Sequence, residues 1–108
     1  MINIEEFKKV EIKIGKILSA ERIDGSEKLL KFRIDLGSEE RQIIGGLALA
    51  YPDPSVLVGR EIPIIANLEP RKLMGLESQG MILACTDEND LPVILTPLKE
   101  VPLGSILR

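Results

Sequence analysis

From Val10 onward the apolar residues fall at every second position: Val10, Ile12 and Ile14, separated by Glu11 and Lys13. A period of two is that of a strand with one buried face. Gly15 breaks the parity before Ile17 and Leu18 resume, which predicts one long first strand, bulged or bent at Gly15. Upstream, Asn3 and Glu6 are spaced to form a capping box at the start of a short helix, with Ile4 and Phe7 on one side of it. Asp24-Gly25-Ser26 marks a turn. The next run alternates without a fault: Leu30, Phe32, Ile34 and Leu36 are predicted to face a core, and Lys31, Arg33 and Asp35 to face out. Residues 37–40 turn the chain into Arg41-Gln42-Ile43-Ile44, making a hairpin that Gly45-Gly46 ends. Leu47 to Tyr51 predicts a short helix stopped by Pro52, and Pro54 to Leu57 one more helical turn. Further strands are expected over about 61–66 and 81–86, with a turn at 87–90 and extension at Val93-Ile94-Leu95.

The predicted order is three strands, a short helical insert and two strands, in one domain spanning residues 1–108. An OB-fold, a five-stranded Greek-key barrel that binds oligonucleotides or oligosaccharides, has this order, and other small β domains share it. The fold class is therefore all-β.

Composition narrows the chemistry. The chain has no histidine and one cysteine, so Ser-His-Asp and Cys-His constellations, histidine-ligated zinc and thiolate metal sites are excluded. No carboxylate pair stands out, and no cofactor or metal is expected; the reading is a binding protein, not an enzyme. Cys85, after Met81 to Ala84, is expected to be a small buried hydrophobe. Apolar runs fall short of the about 18 residues that a membrane span needs, and the acidic start Met1-Ile2-Asn3-Ile4-Glu5-Glu6 is unlike a signal peptide, so a cytoplasmic location is expected.

The net charge of −3 is unevenly spread. Residues 1–27 carry five basic and six acidic groups, residues 28–72 seven and six, and residues 73–108 two and five. A polyanion would meet the middle of the chain. Few phosphates could be neutralised, which suits structured RNA read by shape better than long duplex DNA. The polar-rich stretch from Ala66 to Ala84 lies between two apolar strands and holds an Asn, a basic pair, a Ser, a Gln and two glycines. Core packing has no use for that content, and a gripping surface does. The only aromatics are Phe7, Phe32 and Tyr51, so ring stacking on an extended single strand is disfavoured.

These segments resemble the tRNA-binding domain family over nearly the whole chain. The resemblance is carried by residues 4–17, by Glu27-Lys28-Leu29-Leu30, Asp35-Leu36-Gly37 and Arg41-Gln42-Ile43-Ile44-Gly45-Gly46, and most strongly by residues 66–75 and 77–84, in that order. The family includes the C-terminal domain of methionyl-tRNA synthetase, free-standing bacterial tRNA-binding proteins, the CsaA-type export chaperone and the domain of endothelial monocyte-activating polypeptide II. It implies an OB-fold that docks tRNA by shape, and a homodimer formed through flanking segments, here residues 1–9 and 91–108. A methionyl-tRNA synthetase catalytic subunit is an implied partner, and no synthetase catalytic domain is present in the chain. The chain departs from the family at Gly45-Gly46, where Ser-Gly or Ala-Gly is common, and over residues 47–54, which are less basic than in many members.

On this resemblance Lys28 and Arg41 are expected to meet phosphate, although Arg41 has Asp35 and Glu39 as alternative cross-strand partners. Asn67 is expected to present its amide to a base edge or a 2′-hydroxyl, or else to bond its own backbone as a turn residue. Arg71 and Lys72 flank it. Met74, before Gly75, is read as an exposed loop tip or a core plug. Ser78 and Gln79 either bond the ligand or hold the loop closed. A CsaA-type chaperone that binds unfolded polypeptide in an apolar groove is the alternative function, with Met74, Leu76 and the C-terminal segment as its candidate lining.

Overall fold

The computed structural model describes residues 1–108. A single helical turn, α1 (Ile4–Phe7), opens the chain. Asn3 caps it as expected: its Oδ1 accepts from the Glu6 backbone N–H at 2.9 Å, and Glu6 Oε1 accepts from the Asn3 N–H at 3.3 Å. Strands follow as β1 (Ile12–Arg22), β2 (Leu30–Asp35) and β3 (Glu40–Gly45). A 3-10 turn (Pro54–Leu57) leads to β4 (Glu61–Ile65), β5 (Arg71–Leu73), β6 (Leu76–Ser78), β7 (Met81–Ile82), β8 (Ala84–Thr86) and β9 (Pro92–Ile94). Five of these form one antiparallel sheet in the order β3-β2-β1-β4-β7, the Greek-key order of the expected OB-fold. β5–β6 and β8–β9 are separate two-stranded hairpins.

The alternation in β2 does what its period requires. Leu30, Phe32 and Ile34 are fully buried, and with Leu36 they join Ile17, Ile43, Leu57, Ile62 and Ile64 in one core inside the curled sheet. Each such side chain contributes roughly 1.5–3 kcal/mol by leaving water. β1 is long because it serves two partners. Its second half pairs with β2, and its first half pairs with β4. The C-terminal segment lies beside that first half: Gly104 N–H donates to Ile14 O at 2.7 Å, and Ile14 N–H to Ser105 O at 2.9 Å.

Four sequence expectations change. The irregularity in β1 falls between Ile17 and Ser19, not at Gly15. Gly15 is needed for clearance instead, since a Cβ there would stand 2.5 Å from Ile34 Cγ2. Leu47 to Tyr51 forms turns in place of a helix, with one helical bond from Tyr51 N–H to Leu47 O. Five residues after a Gly-Gly pair do not offset the cost of nucleating a helix. The strand expected over 81–86 is broken at Leu83. Pro63 accepts from Leu83 N–H at 3.1 Å but has no N–H to return, and the β4–β7 ladder ends there. Cys85, on the short β8, is exposed and not buried.

Closure of the barrel rests on side chains. β3 is an edge of the sheet, so the N–H groups of Gln42 and Ile44 have no neighbouring strand. Ser78 Oγ accepts from Ile44 N–H at 2.9 Å, and Gln79 Oε1 accepts from Gln42 N–H at 3.0 Å. In return Gln79 N–H donates to Gln42 O at 2.8 Å, and Gln42 Nε2 donates to Glu77 O at 3.0 Å. Arg41 spans the mouth of the barrel, donating to Ala66 O, to Gln79 O and, at 2.7 Å, to the Glu39 carboxylate. The hydrogen bond from Arg41, and then its charge, hold the Glu39 carboxyl below the ordinary glutamate range. A depressed carboxyl contributes stability above its ordinary pKa and loses it as pH falls through the depressed value. Carboxyl NMR should therefore show Glu39 titrating lower in the native protein than in Arg41→Met. An identical titration in both proteins would contradict the Arg41–Glu39 contact.

Candidate nucleic-acid interface

The polar stretch between β4 and β7 folds as the β5–β6 hairpin. Leu73 pairs with Leu76, which leaves Met74-Gly75 as a two-residue turn. Both turn residues have positive φ, 52° and 76°, as a type I′ turn demands. Asn-Gly is the usual choice there, and a methionine in the left-handed region costs about 1–2 kcal/mol. Met74 is nevertheless 53% exposed, so this strain is not repaid by burial, and the core-plug alternative is excluded. Its Cε lies 3.4 Å from where a Cβ on Gly25 would sit, so the hairpin tip touches the β1–β2 turn.

The hairpin also folds onto the outer face of β3. Ile43 points into the core, and Ile44 points outward yet is only 6% exposed. Leu68, Leu73 and Met81 surround it and line, with Arg71 and Ser78, a small cavity of about 70 Å³. This satellite cluster sets the hairpin beside the outward residues of β2. Lys31 stands opposite Ile44 in the register, and Arg33 opposite Gln42.

Lys28, Arg71 and Lys72 are exposed, and none has a carboxylate within ion-pairing distance. Contact of the hairpin tip with the turn at Gly25 puts the tip three residues from Lys28 along the chain, while Arg71 and Lys72, adjacent in β5, project from its two faces. Lys31 and Arg33, outside the expected set, carry the outward parity of β2 that the sequence shows. They pair with Glu21 at 3.6 Å and Glu40 at 3.4 Å. Solvent-exposed pairs of this kind are worth at most about 1 kcal/mol and are easily exchanged for a phosphate. The Lys72 partner across the hairpin is Glu77, so the field of this face is mixed and only locally positive.

The remaining expected site residues are occupied within the protein. Asn67 is exposed, but its Oδ1 accepts from Glu11 N–H at 2.9 Å and its Nδ2 donates to Lys9 O at 2.7 Å. Its carboxamide bolts the N-terminal segment to the exit of β4; it bonds neither its own backbone nor open solvent on those atoms. Arg41 takes the Glu39 alternative and adds two carbonyls. Ser78 is buried and, with Gln79, holds the loop closed, the second of their two expected roles.

Away from this face, the chain ends present an apolar surface. A cavity of about 380 Å³ is lined by Ile14, Pro63, Leu95, Val101, Ile106 and Leu107. Ile106 and Leu107 also line a second of about 220 Å³ with Ile4, Phe7 and Val10. Buried Glu61 tethers this C-terminal segment, accepting from Val101 N–H at 2.9 Å. No helix is long and apolar enough to cross a membrane.

The chain is similar to known proteins along its whole length. The chain is 52% identical over all of its 108 residues to a methionine–tRNA ligase of Methanoregula boonei, and 51% identical over 107 residues to that of Helicobacter pylori. It spans 16% of the length of each of those ligases. Among solved structures, a MetRS-related protein from Pyrococcus horikoshii superposes with a TM-score of 0.92 at 34% identity, covering 100% of this chain and 98% of that one. The chaperone CsaA from Bacillus anthracis gives 0.89 at 27% identity, covering 100% and 99%. Residues 12–106 match the family model described as a putative tRNA binding domain, and the chain belongs to that family of tRNA-binding domains.

Proposed function

We propose that the chain docks folded tRNA on the face built by the β5–β6 hairpin, the β1–β2 turn and the outer side of β2, without chemistry of its own. The observation that carries this reading is the exposed hairpin on which Arg71 and Lys72 are free of ion pairs while the tip reaches the turn that leads to Lys28. In it, Lys28, Arg71 and Lys72 meet phosphates, Lys31 and Arg33 add to the field by releasing their glutamates, and Met74 presents an apolar contact to the ribose–base surface. Asn67, Arg41, Ser78 and Gln79 serve the site by holding the hairpin at its root. The chain acts with a methionyl-tRNA synthetase, as a non-catalytic part or a separate subunit, in the cytoplasm; the identity to methionine–tRNA ligases supports this.

We also propose a homodimer through the two apolar cavities joined at Ile106 and Leu107. Exposed Ile2, Ile4, Val10, Leu98 and Ile106 leave a patch that a second copy would cover. A second function is favoured by the same apolar surface and by the similarity to CsaA: capture of unfolded polypeptide. Salt separates the two, since counterion release weakens RNA binding as salt rises and apolar burial does not weaken.

Three outcomes are expected. Lys72→Ala should lower affinity for unfractionated tRNA and reduce the slope of log K against log salt by about 1, with no change in melting temperature. An unaltered slope for both Lys72→Ala and Arg71→Ala would refute the face. Met74→Asn should raise stability by about 1 kcal/mol by fitting the turn, while weakening tRNA binding; tighter or equal binding would remove Met74 from the interface. By light scattering the native chain should be a dimer and Ile106→Glu a folded monomer. A monomeric native chain would rule out the dimer.

A further inference from the structure

We propose that Gln42 is a positioning residue for tRNA, acting with Gln79 as a clasp that sets the pose of the β5–β6 hairpin. This rests on the tRNA-docking reading above. Neither glutamine belongs to the core, and both are half-buried at the rim. The sheet is paired through β1–β2–β3 and through β1–β4–β7 without either glutamine side chain. What they join is β3 to the root of the hairpin. The Gln42 N–H is held by Gln79 Oε1 at 3.0 Å, the Gln42 carbonyl by Gln79 N–H at 2.8 Å, and the Gln42 carboxamide reaches Glu77 O at 3.0 Å. Glu77 lies directly opposite Lys72, and Arg33 lies opposite Gln42 in the β2–β3 register. The clasp therefore fixes the phosphate-facing cations of the hairpin relative to those of β2. A hairpin that is already ordered loses less conformational freedom when RNA binds. Removing the clasp should release the hairpin and leave its cations in place, so the same phosphates are met at an added entropic cost.

The test compares Gln79→Leu, Gln42→Leu, Lys72→Ala and Arg71→Ala with the native chain, using unfractionated tRNA across a range of salt. Gln79→Leu removes the side-chain acceptor at little change in volume. Gln42→Leu removes only the bond to Glu77 and keeps both bonds at the Gln42 backbone, so it serves if Gln79→Leu does not fold. The expected result is a loss of about tenfold in tRNA affinity for Gln79→Leu and a smaller loss for Gln42→Leu. The salt slope should match the native protein, and amide exchange should quicken at Gln42 in Gln79→Leu and at the hairpin in both, not in β1 or β2. Affinity within twofold of native in both glutamine variants, or a salt slope reduced as in Lys72→Ala, would overturn the positioning role. A native slope and native affinity in both Lys72→Ala and Arg71→Ala would instead remove the docking face itself, whatever the glutamine variants show.

Discussion

An edge strand with unsatisfied N–H groups is the constraint on which the rest of this structure turns. The sheet begins at β3 and ends at β7, and a strand left open at an edge both wastes hydrogen bonds and invites other chains. Here the two outward N–H groups of β3 are met by the hydroxyl of Ser78 and the carboxamide oxygen of Gln79, not by a further backbone. Leaving the buried Ile44 N–H unpaired would cost about 1–3 kcal/mol, so Ser78 and Gln79 are held where they are by the needs of β3. No buried side-chain polar atom is left without a partner.

That mode of closure places the hairpin. Because the residues that satisfy β3 are the last of β6 and its successor, the hairpin must lie along the outer face of β3, where Leu73 and Leu68 find Ile44. Its tip then meets the β1–β2 turn at Gly25. The strain at Met74 sits at that contact. A tip held in the left-handed region with an exposed apolar side chain is poor for stability alone, and a surface selected for contact with a partner is a physical reason to retain it.

The two ends of the molecule differ in surface character. One side is polar and mixed in charge, with cations free for phosphate among carboxylates that limit the overall attraction. The other is apolar and built by the terminal segments, which are secured from within by Asn67 and Glu61. Asn67 links the two sides, hydrogen-bonding the N-terminal segment from a position four residues before β5. Docking of RNA on such a face of an acidic protein, as proposed, would depend on shape more than on net charge.

Much of the architecture was legible in the residues. The period of two in β1 and β2, the capping box at Asn3 and Glu6, and the turns at Gly25 and Gly37 are local, and local sterics and burial decide them. The stretch from Ala66 to Ala84 reads as a polar segment between two apolar strands but does not reveal the β5–β6 hairpin within it, because three-residue strands give too little alternation to read. Lys28, Arg71 and Lys72 are exposed, as their charge favours, and Met74 takes the loop-tip alternative of its two readings. By contrast, Arg41, Asn67, Ser78 and Gln79 look from sequence like ligand-seeking groups, and tertiary structure engages them with carbonyls and N–H groups of segments 25 to 58 residues away. The pattern of side chains settles which face of a strand is buried, since that depends only on neighbours along the chain. Which polar group remains free for a partner is decided by whether a distant backbone needs it first, and only the folded chain brings that backbone within reach.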